Sequence, residues 1–355
     1  MSNLPPSGEI PRGAIRFNTD SNKPELWDGS QWAEFQLSTP NLGQSSDRQP
    51  GARGLFAGGY SYGNPAGSRP TSDVIDYINI STTGVNASDF GNLTESRGPS
   101  GGVSSSTRGV WMHGDKTASP HRTNTIDYVT IASTGNAADF GDTTGSHGHG
   151  NGNVSNSTRG LCAGGNPGPQ NNIEYITIAS TGNGVDFGDL TVARYGIAGV
   201  SSPTRGVFSA GDKGPAFTTT MDFVNIATLG NAQNFGDQDD SNSSGIGGAS
   251  NPIRGLFGGS NTSPYTHAYY ITIASAGNAI KFGDLTNSGI ARFRTGTSSP
   301  TRGVFAGGYG PSPGYPNVDI IDYVEIMSLG DAVDFADLSV GRGMPGGCSN
   351  AHGGL

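Results

Sequence analysis

An all-β protein built from six four-stranded repeats is the fold this sequence predicts, and three observations predict it. A nine-residue string recurs six times: GARGLFAGG from Gly51, STRGVWMHG from Ser106, STRGLCAGG from Ser157, PTRGVFSAG from Pro203, PIRGLFGGS from Pro252 and PTRGVFAGG from Pro300. Its Arg-Gly pairs, at Arg53, Arg108, Arg159, Arg205, Arg254 and Arg302, are spaced 46 to 55 residues apart, the period of a four-stranded propeller blade. Glycine supplies 59 of 355 residues without a Gly-X-Y period, and no long 3.6-period apolar stripe is present to build helices.

The first element is the stretch GAIRFNTDSNKPELWDGSQWAEF, from Gly13 to Phe35. Alternating Ile15 and Phe17, then Leu26, Trp27, Trp32 and Phe35, are arranged around NTDSN and DGS and predict a meander of two or three strands. So few apolar residues do not make a stable domain alone, so the segment is expected to attach to something else. Residues 1–42 are read as this β attachment segment and its linker, and residues 43–355 as the repeat domain.

Each repeat carries four short β-type runs separated by turn signals: B (RGVFA), C (IDYVTIA), D (ADFGDL) and A (GGVSS), with A running into the next B. Run C is apolar on both faces, Ile126 and Tyr128 on one and Val129 and Ile131 on the other. Such a strand needs cover on both sides, as a blade between two blades receives. Run A, as in AGVSS at 198–202, is nearly all small, which predicts A at the crowded axis and D outermost. The chain enters the first repeat at B and leaves after GGCSN at 346–350, a run A with no B to follow. That strand is expected to complete the first blade and remove an exposed edge, giving six blades.

The diglycines Gly58-Gly59, Gly164-Gly165 and Gly307-Gly308, an aromatic two-thirds of the way into each unit, and Arg97-Gly98 and Arg342-Gly343 near the D to A connection together resemble the kelch repeat. The resemblance covers residues from about 50 to 355 and implies a six-bladed kelch-like β-propeller. The D position holds Phe90, Phe140, Phe187, Phe235, Phe282 and Phe335 where kelch repeats have Trp. The pattern GxIRFNTDxNxxExWDGxxW is similar to a short segment of bacteriophage tail-fibre and other virion proteins. The glycine-rich units resemble virion proteins of marine tailed phages, cyanophages especially. Together these resemblances imply a structural or host-contacting role, a virion location, and contacts with other virion proteins through residues 1–50.

Composition excludes other classes. A net charge of −9 and a pI near 5.0 argue against nucleic acid, whose binding draws on clustered Lys and Arg. Cys162 and Cys348, the only cysteines, are too few for a disulfide framework and are expected to be buried thiols. The opening MSNLPPSGEIPRG lacks an apolar core of a signal, and no window approaches eighteen apolar residues, so neither classical export nor membrane insertion is expected.

Motifs that could carry chemistry are weighed against structural roles. Asp-Phe-Gly at Asp89, Asp139 and Asp186 lacks the companion loops of a kinase, and Asn234 and Lys281 fill the same slot elsewhere, so it is a strand position. The acidic column Asp142, Asp189, Asp237, Asp284 and Asp337 is expected to cap the turn leaving D by side-chain to backbone bonds; no copy has the oxygen spacing of a calcium loop. The six repeat arginines are expected to be architectural, pairing with carboxylates or carbonyls around the ring. His113, His121, His147 and His149 cluster in the second unit, with His267 and His352 apart. They could bind zinc or iron, but a Gly- and Ser-rich solvated loop holds ligand geometry poorly, so no metal and no cofactor are expected. The sialidase-type Asp box and a copper-oxidase Tyr, Cys and His set are absent, and no nucleophile and base pair is specified. The expectation is a protein that is not an enzyme.

Strands alternate direction, so B to C and D to A loops share one end of the domain, and A to B and C to D turns share the other. The turns barely change between copies (SSST, SSPT; STGNA, ATLGNA), while the loops do, from YSYGNPAGSRPTSD at 60–73 to YGPSPGYPNVD at 309–319. Loops placed by a rigid scaffold are where binding evolves. The candidate binding face comprises Tyr60, Tyr62, Arg69, His113, Arg122, Tyr265, Arg294, Tyr309 and Tyr315, residue types frequent at recognition hot spots and suited to a sugar or protein surface. The expectation is a virion protein, tail fibre or surface decoration, anchored by Ile15, Phe17, Trp27, Trp32 and Phe35, as a single copy or a homo-oligomer, and displaying the loop face to host glycan or protein. A cytosolic kelch-type adaptor is the alternative.

Overall fold

The computed structural model describes residues 10–18, 23–34, 52–61, 70–98, 101–238, 244–260, 263, 265–286, 292–310 and 316–355. The chain divides into two compact units, Met1–Pro50 and Gly51–Leu355. The expected boundary at 42/43 lies outside the described residues.

In the first unit, β1 (Ile15–Asn18), β2 (Lys23–Trp27) and β3 (Trp32–Glu34) form an antiparallel meander in that order. The β2 to β3 turn is an Asx-type turn: Asp28 Oδ1 accepts the Ser30 and Gln31 amides at 2.7 and 2.8 Å. It brings Trp27 opposite Trp32, ring centroids 5.4 Å apart, and the Arg16 guanidinium lies 4.3 Å over Trp32 while bonding Glu25 at 2.6 Å.

The second unit is all β, with no helix among its described residues. Sheet I contains β4 (Arg53–Ala57), β5 (Val74–Asn79) and β6 (Ser88–Asn92). Sheet II is β7 (Gly101–Ser104), β8 (Arg108–Asp115), β9 (Arg122–Thr130) and β10 (Ala138–His147); sheet III is β11 (Gly152–Ser155), β12 (Arg159–Ala163), β13 (Gln170–Thr177) and β14 (Val185–Arg194). Sheet IV is β15 (Ala198–Ser201), β16 (Arg205–Ser209), β17 (Thr220–Asn225) and β18 (Gln233–Asp237); sheet V is β19 (Gly247–Ser250), β20 (Arg254–Gly258), β21 (His267–Thr272) and β22 (Ile280–Asp284). Sheet VI is β23 (Thr295–Ser298), β24 (Arg302–Ala306), β25 (Ile320–Glu325) and β26 (Val333–Asp337). Strand β27 (Gly346–Ser349) pairs antiparallel with β4, Cys348 opposite Leu55, and completes sheet I. All six sheets are antiparallel and four-stranded, an arrangement consistent with a propeller-like fold.

The small-residue strands β7, β11, β15, β19, β23 and β27 each lie against the next, and β27 lies against β7. Their glycines are required by close approach: a Cβ on Gly199 would stand 2.1 Å from the Asn153 carbonyl oxygen, and one on Gly248 2.1 Å from that of Gly199. Alternate residues of each B and C strand face opposite neighbours. Leu55 and Ile75 pack with Trp111 and Val129 of sheet II, whereas Phe56 and Ile78 pack with Ile321 and Phe335 of sheet VI.

The constant STGNA turn and the repeat arginine both serve the seams between sheets. Gly135 N donates to Phe90 O at 2.7 Å, Ala137 N to Asn92 O at 2.8 Å, and Asn136 Oδ1 accepts the Asn92 amide at 3.1 Å, so the C to D turn of sheet II continues along the outer strand of sheet I. The same bonds join sheet I to sheet VI, through Gly84 N to Phe335 O and Asn86 Oδ1 to the Asp337 amide. Each arginine reaches over an aromatic ring of its own sheet to a carbonyl of the next: Arg53 lies 4.9 Å over Tyr77 and donates to Ile131 O. Arg302 lies over Tyr323 and donates to Ile80 O. These partners are carbonyls, which explains one arginine per repeat.

Candidate functional site

The loop end begins five residues past each repeat arginine, where strand B stops in five copies and β8 carries a bulge at His113. There one residue takes a left-handed backbone: Gly58, Gly164, Gly259 and Gly307 have φ of 64, 67, 88 and 67°, and His113 and Ala210, in the same slot, have 50 and 56°. A side chain in this region costs about 1–2 kcal/mol. His113 bears that cost and is aimed into the protein rather than out of it.

Beneath the loop end a buried ion pair recurs. Arg97 meets Asp127 at 3.0 Å, Arg194 meets Asp222 at 2.8 Å, Arg342 meets Asp76 at 3.0 Å, and Arg294 meets Asp322. Each aspartate also takes a hydroxyl from the preceding sheet, as Asp127 does from Thr94 and Asp76 from Ser339, both at 2.6 Å. Burial lowers the pKa of Arg97, Arg194 and Arg342 while the facing carboxylates oppose it. Removing either partner would strand a charge in a dry site.

Sheet III departs from this pattern. The arginine four residues ahead of β7, β15 and β27 is replaced by Gly148 ahead of β11, and the acid is Glu174. Glu174 faces two imidazoles instead, with Oε1 3.6 Å from His113 Nε2 and 3.7 Å from His147 Nε2, and its Oε2 accepts the Thr144 amide at 2.7 Å. Glu174 Oε1, His113 Nε2 and His147 Nδ1 are buried without a hydrogen-bond partner. Burial pushes the Glu174 carboxyl up, but the facing His113 and the Thr144 amide outweigh it and hold it below its ordinary value. Burial, and then the charge of His113, push His147 down against Glu174. Cys162 Sγ lies 3.8 Å from His113 Nδ1, and burial raises its thiol well above the usual range, with Glu174 adding to it. Both cysteines are free and buried, as expected.

At the surface of the same end, Tyr60 Oη donates to Asp115 Oδ2 at 2.6 Å, and His149 Nδ1 lies 2.7 Å from the same oxygen. Burial raises the Asp115 carboxyl, but bonds from His149 and Tyr60 and the charges of His149 and Arg122 outweigh it, so it is lowered. Tyr195 Oη donates to Asp212 Oδ2 at 2.7 Å; burial and that carboxylate push its phenol up to about 12. A cavity of about 140 Å³ is lined by the inner strands, with Gly150, Gly196, Phe293 and Met344 ahead of them and His352 beyond them.

The structure corrects several sequence expectations. Of the candidate binding face, Tyr60, His113, Arg294 and Tyr309 are buried, because the left-handed turn and the ion pair draw these side chains inward. Arg294 is a structural cation, and His113 belongs to the Glu174 centre. Arg122 and Tyr265 are half-buried: Arg122 Nε lies 3.7 Å from Asp115, and Arg292 lies 4.1 Å over the Tyr265 ring. Tyr62, Arg69 and Tyr315 lie outside the described residues, as does Phe35 of the attachment segment. Ile15 and Phe17 are exposed, Trp32 is half-buried and Trp27 is buried. In the acidic column, Asp237 and Asp284 accept hydroxyls from Thr219 and Thr266; it is the backbone amides of the column that are capped, by the Asn or Asp of the next turn. Among the described residues no group of three or more His, Cys, Asp or Glu is arranged to hold a metal ion.

Sequence reasoning missed the buried ion pairs. The signal was present as an acid in the I-D-Y column and an arginine ahead of run A, but nothing along one repeat says that these two meet across a seam. No protein-family model matches the chain, and no curated protein matches it.

Proposed function

We propose that the six sheets close into a six-bladed, kelch-like propeller, and that the protein is a non-enzymatic structural component of a tailed-phage virion, a tail fibre or surface decoration. It is held through its N-terminal meander by other virion proteins and turns its loop end toward host glycan or protein. The observation that carries this reading is the division of labour between the two ends of the sheets. Every described C to D turn is bonded to the neighbouring sheet, whereas the loops at the opposite end differ in length and composition from copy to copy.

Closure is supported by the seam between sheets VI and I, which repeats the backbone, Asn and Arg bonds of the others. Attachment through the meander is supported by Ile15 and Phe17, 68% and 58% exposed on one strand, which suit burial against a partner or in a homo-oligomer. The Tyr, Asp, His and Arg groups of the loop end suit a polar ligand better than an apolar one. The reading requires no cofactor, nucleic acid or membrane insertion.

Cryo-electron microscopy of purified virions, made with the full chain and with Ile15 and Phe17 both replaced by Ser, tests it. Density for the protein is expected on particles carrying the natural chain and is expected to be lost with the double substitution. Particles without density for the natural chain would overturn the reading in favour of a cytosolic kelch-type adaptor, which should copurify with host proteins.

A further inference from the structure

The seam between sheets II and III differs from its neighbours at both of its ends. At the loop end it lacks the permanent cation found under sheets I, II, IV and VI, and His113 and His147 face Glu174 in its place, their ring centroids 5.1 Å apart. At the axis, a relay of serines links the inner strands: Ser104 Oγ donates to Ser349 O, Ser349 to Ser298 O, Ser298 to Ser250 O and Ser250 to Ser201 O. The run of hydroxyl-to-carbonyl bonds thus spans β15 to β7; between β7 and β11 the Ser104 amide still donates to Ser155 Oγ at 3.1 Å, and His352 stands where the hydroxyl-to-carbonyl bond would be. His352 Nε2 lies 3.0 Å from Ser104 O and 3.2 Å from Ser155 Oγ, and its Nδ1 accepts the Gly354 amide at 3.0 Å.

This geometry fixes the His352 tautomer. Nε2 carries the proton given to Ser104 O, and Nδ1 holds the lone pair that takes the Gly354 N–H. A second proton, on Nδ1, would point at that N–H and break the bond. His113 is seated in the same way, with Nδ1 facing the Asn151 Nδ2 donor at 2.9 Å. Asn151 Nδ2 also donates to Gly148 O, which fixes the amide's orientation and directs the His113 Nε2 proton at Glu174.

We propose that the II–III seam is an acid-operated joint: protonation of two imidazoles, the buried His147 and the half-buried His352, one near each end of it, loosens this seam before any other. The groups facing His147 are His113 from β8, Arg122 from β9 and Glu174 from β13, with the Asn172 amide of β13 3.4 Å from its Nε2; the neutral Cys162 thiol of β12 lies beside His113, and Asp115 of β8 lies beside Arg122 and His149. A cation at His147 is drawn by Glu174 and opposed by His113 and Arg122, which outnumber it. The partners of His352 are the neutral Ser104 carbonyl, Ser155 hydroxyl and Gly354 amide, none of which carries a negative charge.

The sign agrees with the setting of both rings. His147 is pushed down from its ordinary value, and His352 is pushed down to about 4 by burial, with the Ser104 carbonyl opposing. A histidine lowered in the folded state takes its proton first in the open state. The stability it contributes is therefore full above roughly pH 6.5 and is lost as the pH falls toward the lowered value. Seams I–II and VI–I, with guanidinium–aspartate pairs and no inserted imidazole, lack this dependence over the same range.

The test is hydrogen–deuterium exchange of the full chain at pH 7.5 and pH 5.0, corrected for intrinsic rates, comparing β7 and β11 with β19 and β23. The expected result is a loss of protection at β7 and β11 of roughly tenfold or more, with little change at β19 and β23. His352→Gln, which keeps a donor for Ser104 O and does not titrate, should remove most of that loss. Equal protection in all seams at pH 5.0 would overturn the proposal, as would an unchanged pH response in His352→Gln. A third arm adds Zn²⁺ at pH 7.5: protection of the seam by the ion and its reversal by a chelator would make His113, His147 and Glu174 an ion site and overturn the proton-operated reading.

Discussion

The two ends of the sheets hold the same six seams together by different chemistry. At the turn end the bonds are made by backbone and by one small polar side chain, as in Gly230 N to Phe187 O and the Asp189 amide to Asn231 Oδ1. They are short in reach and repeat from sheet to sheet, with Asp331 replacing Asn in one copy. At the loop end the seam is held by long charged side chains that cross from sheet to sheet, as Arg194 does to Asp222, and here the copies diverge. A backbone bond depends only on where the chain runs, so it tolerates sequence change elsewhere. A buried ion pair depends on two particular side chains, so each seam can be altered independently. Sheet III, with Glu174 and two histidines, and sheet V, with Tyr269 in the acid slot, are such alterations.

The largest effect expected from this contrast is at the loop end. Asp222→Ala leaves the Arg194 guanidinium buried and unpaired and should lower stability by about 3–5 kcal/mol, measured by denaturant unfolding. Replacing Arg194 and Asp222 together with apolar residues of similar volume should cost much less, and a double variant as unstable as the single one would show that the pair is more than charge compensation. Next in size, Gly188→Ala strikes the turn end: its φ is +148° and a Cβ would stand 2.5 Å from the Gly230 carbonyl oxygen. Steric and backbone strain together should cost about 2–3 kcal/mol, with a clear fall in Tm. Removing one hydrogen bond of the same clasp, in Asn231→Ala, should cost about 1 kcal/mol; a loss as large as that of Asp222→Ala would erase the distinction between the two ends. The smallest effect belongs to the loop surface, where Tyr195→Phe removes the phenol bonded to Asp212. Stability should fall by no more than about 1 kcal/mol, and the phenol absorbance titrating near pH 12 should disappear from the spectrum.

How far the site was legible follows the same division. The repeat alignment placed the loops at one end and singled out Tyr60, Tyr309, Arg294 and His113 there, all at the correct end of their strands. It did not place them on the surface, because whether a loop residue faces outward depends on one left-handed backbone turn and on the partner waiting across the seam. Cys162 and Cys348 were placed correctly as buried thiols, since Cys162 stands where other repeats have a core Phe. His147 and His149, two residues apart, have opposite settings: His147 faces buried Glu174, while His149 lies beside the partly exposed Asp115.

By itself the sequence determined the strand content, the unit of four strands, the small-residue strand at one edge of each unit, and the completion of sheet I by the run at 346–350, whose strand is Gly346–Ser349. These follow from local patterns of size, polarity and turn chemistry that repeat in register six times, so that each copy checks the others. Only the tertiary structure decided which charges meet, because Arg194 and Asp222 are 28 residues apart and belong to different sheets. It also decided that two histidines face the acid under sheet III, where the cation is missing. A pairing of that kind is set by the packing of one sheet on the next, and a pattern read along a single strand contains no record of it.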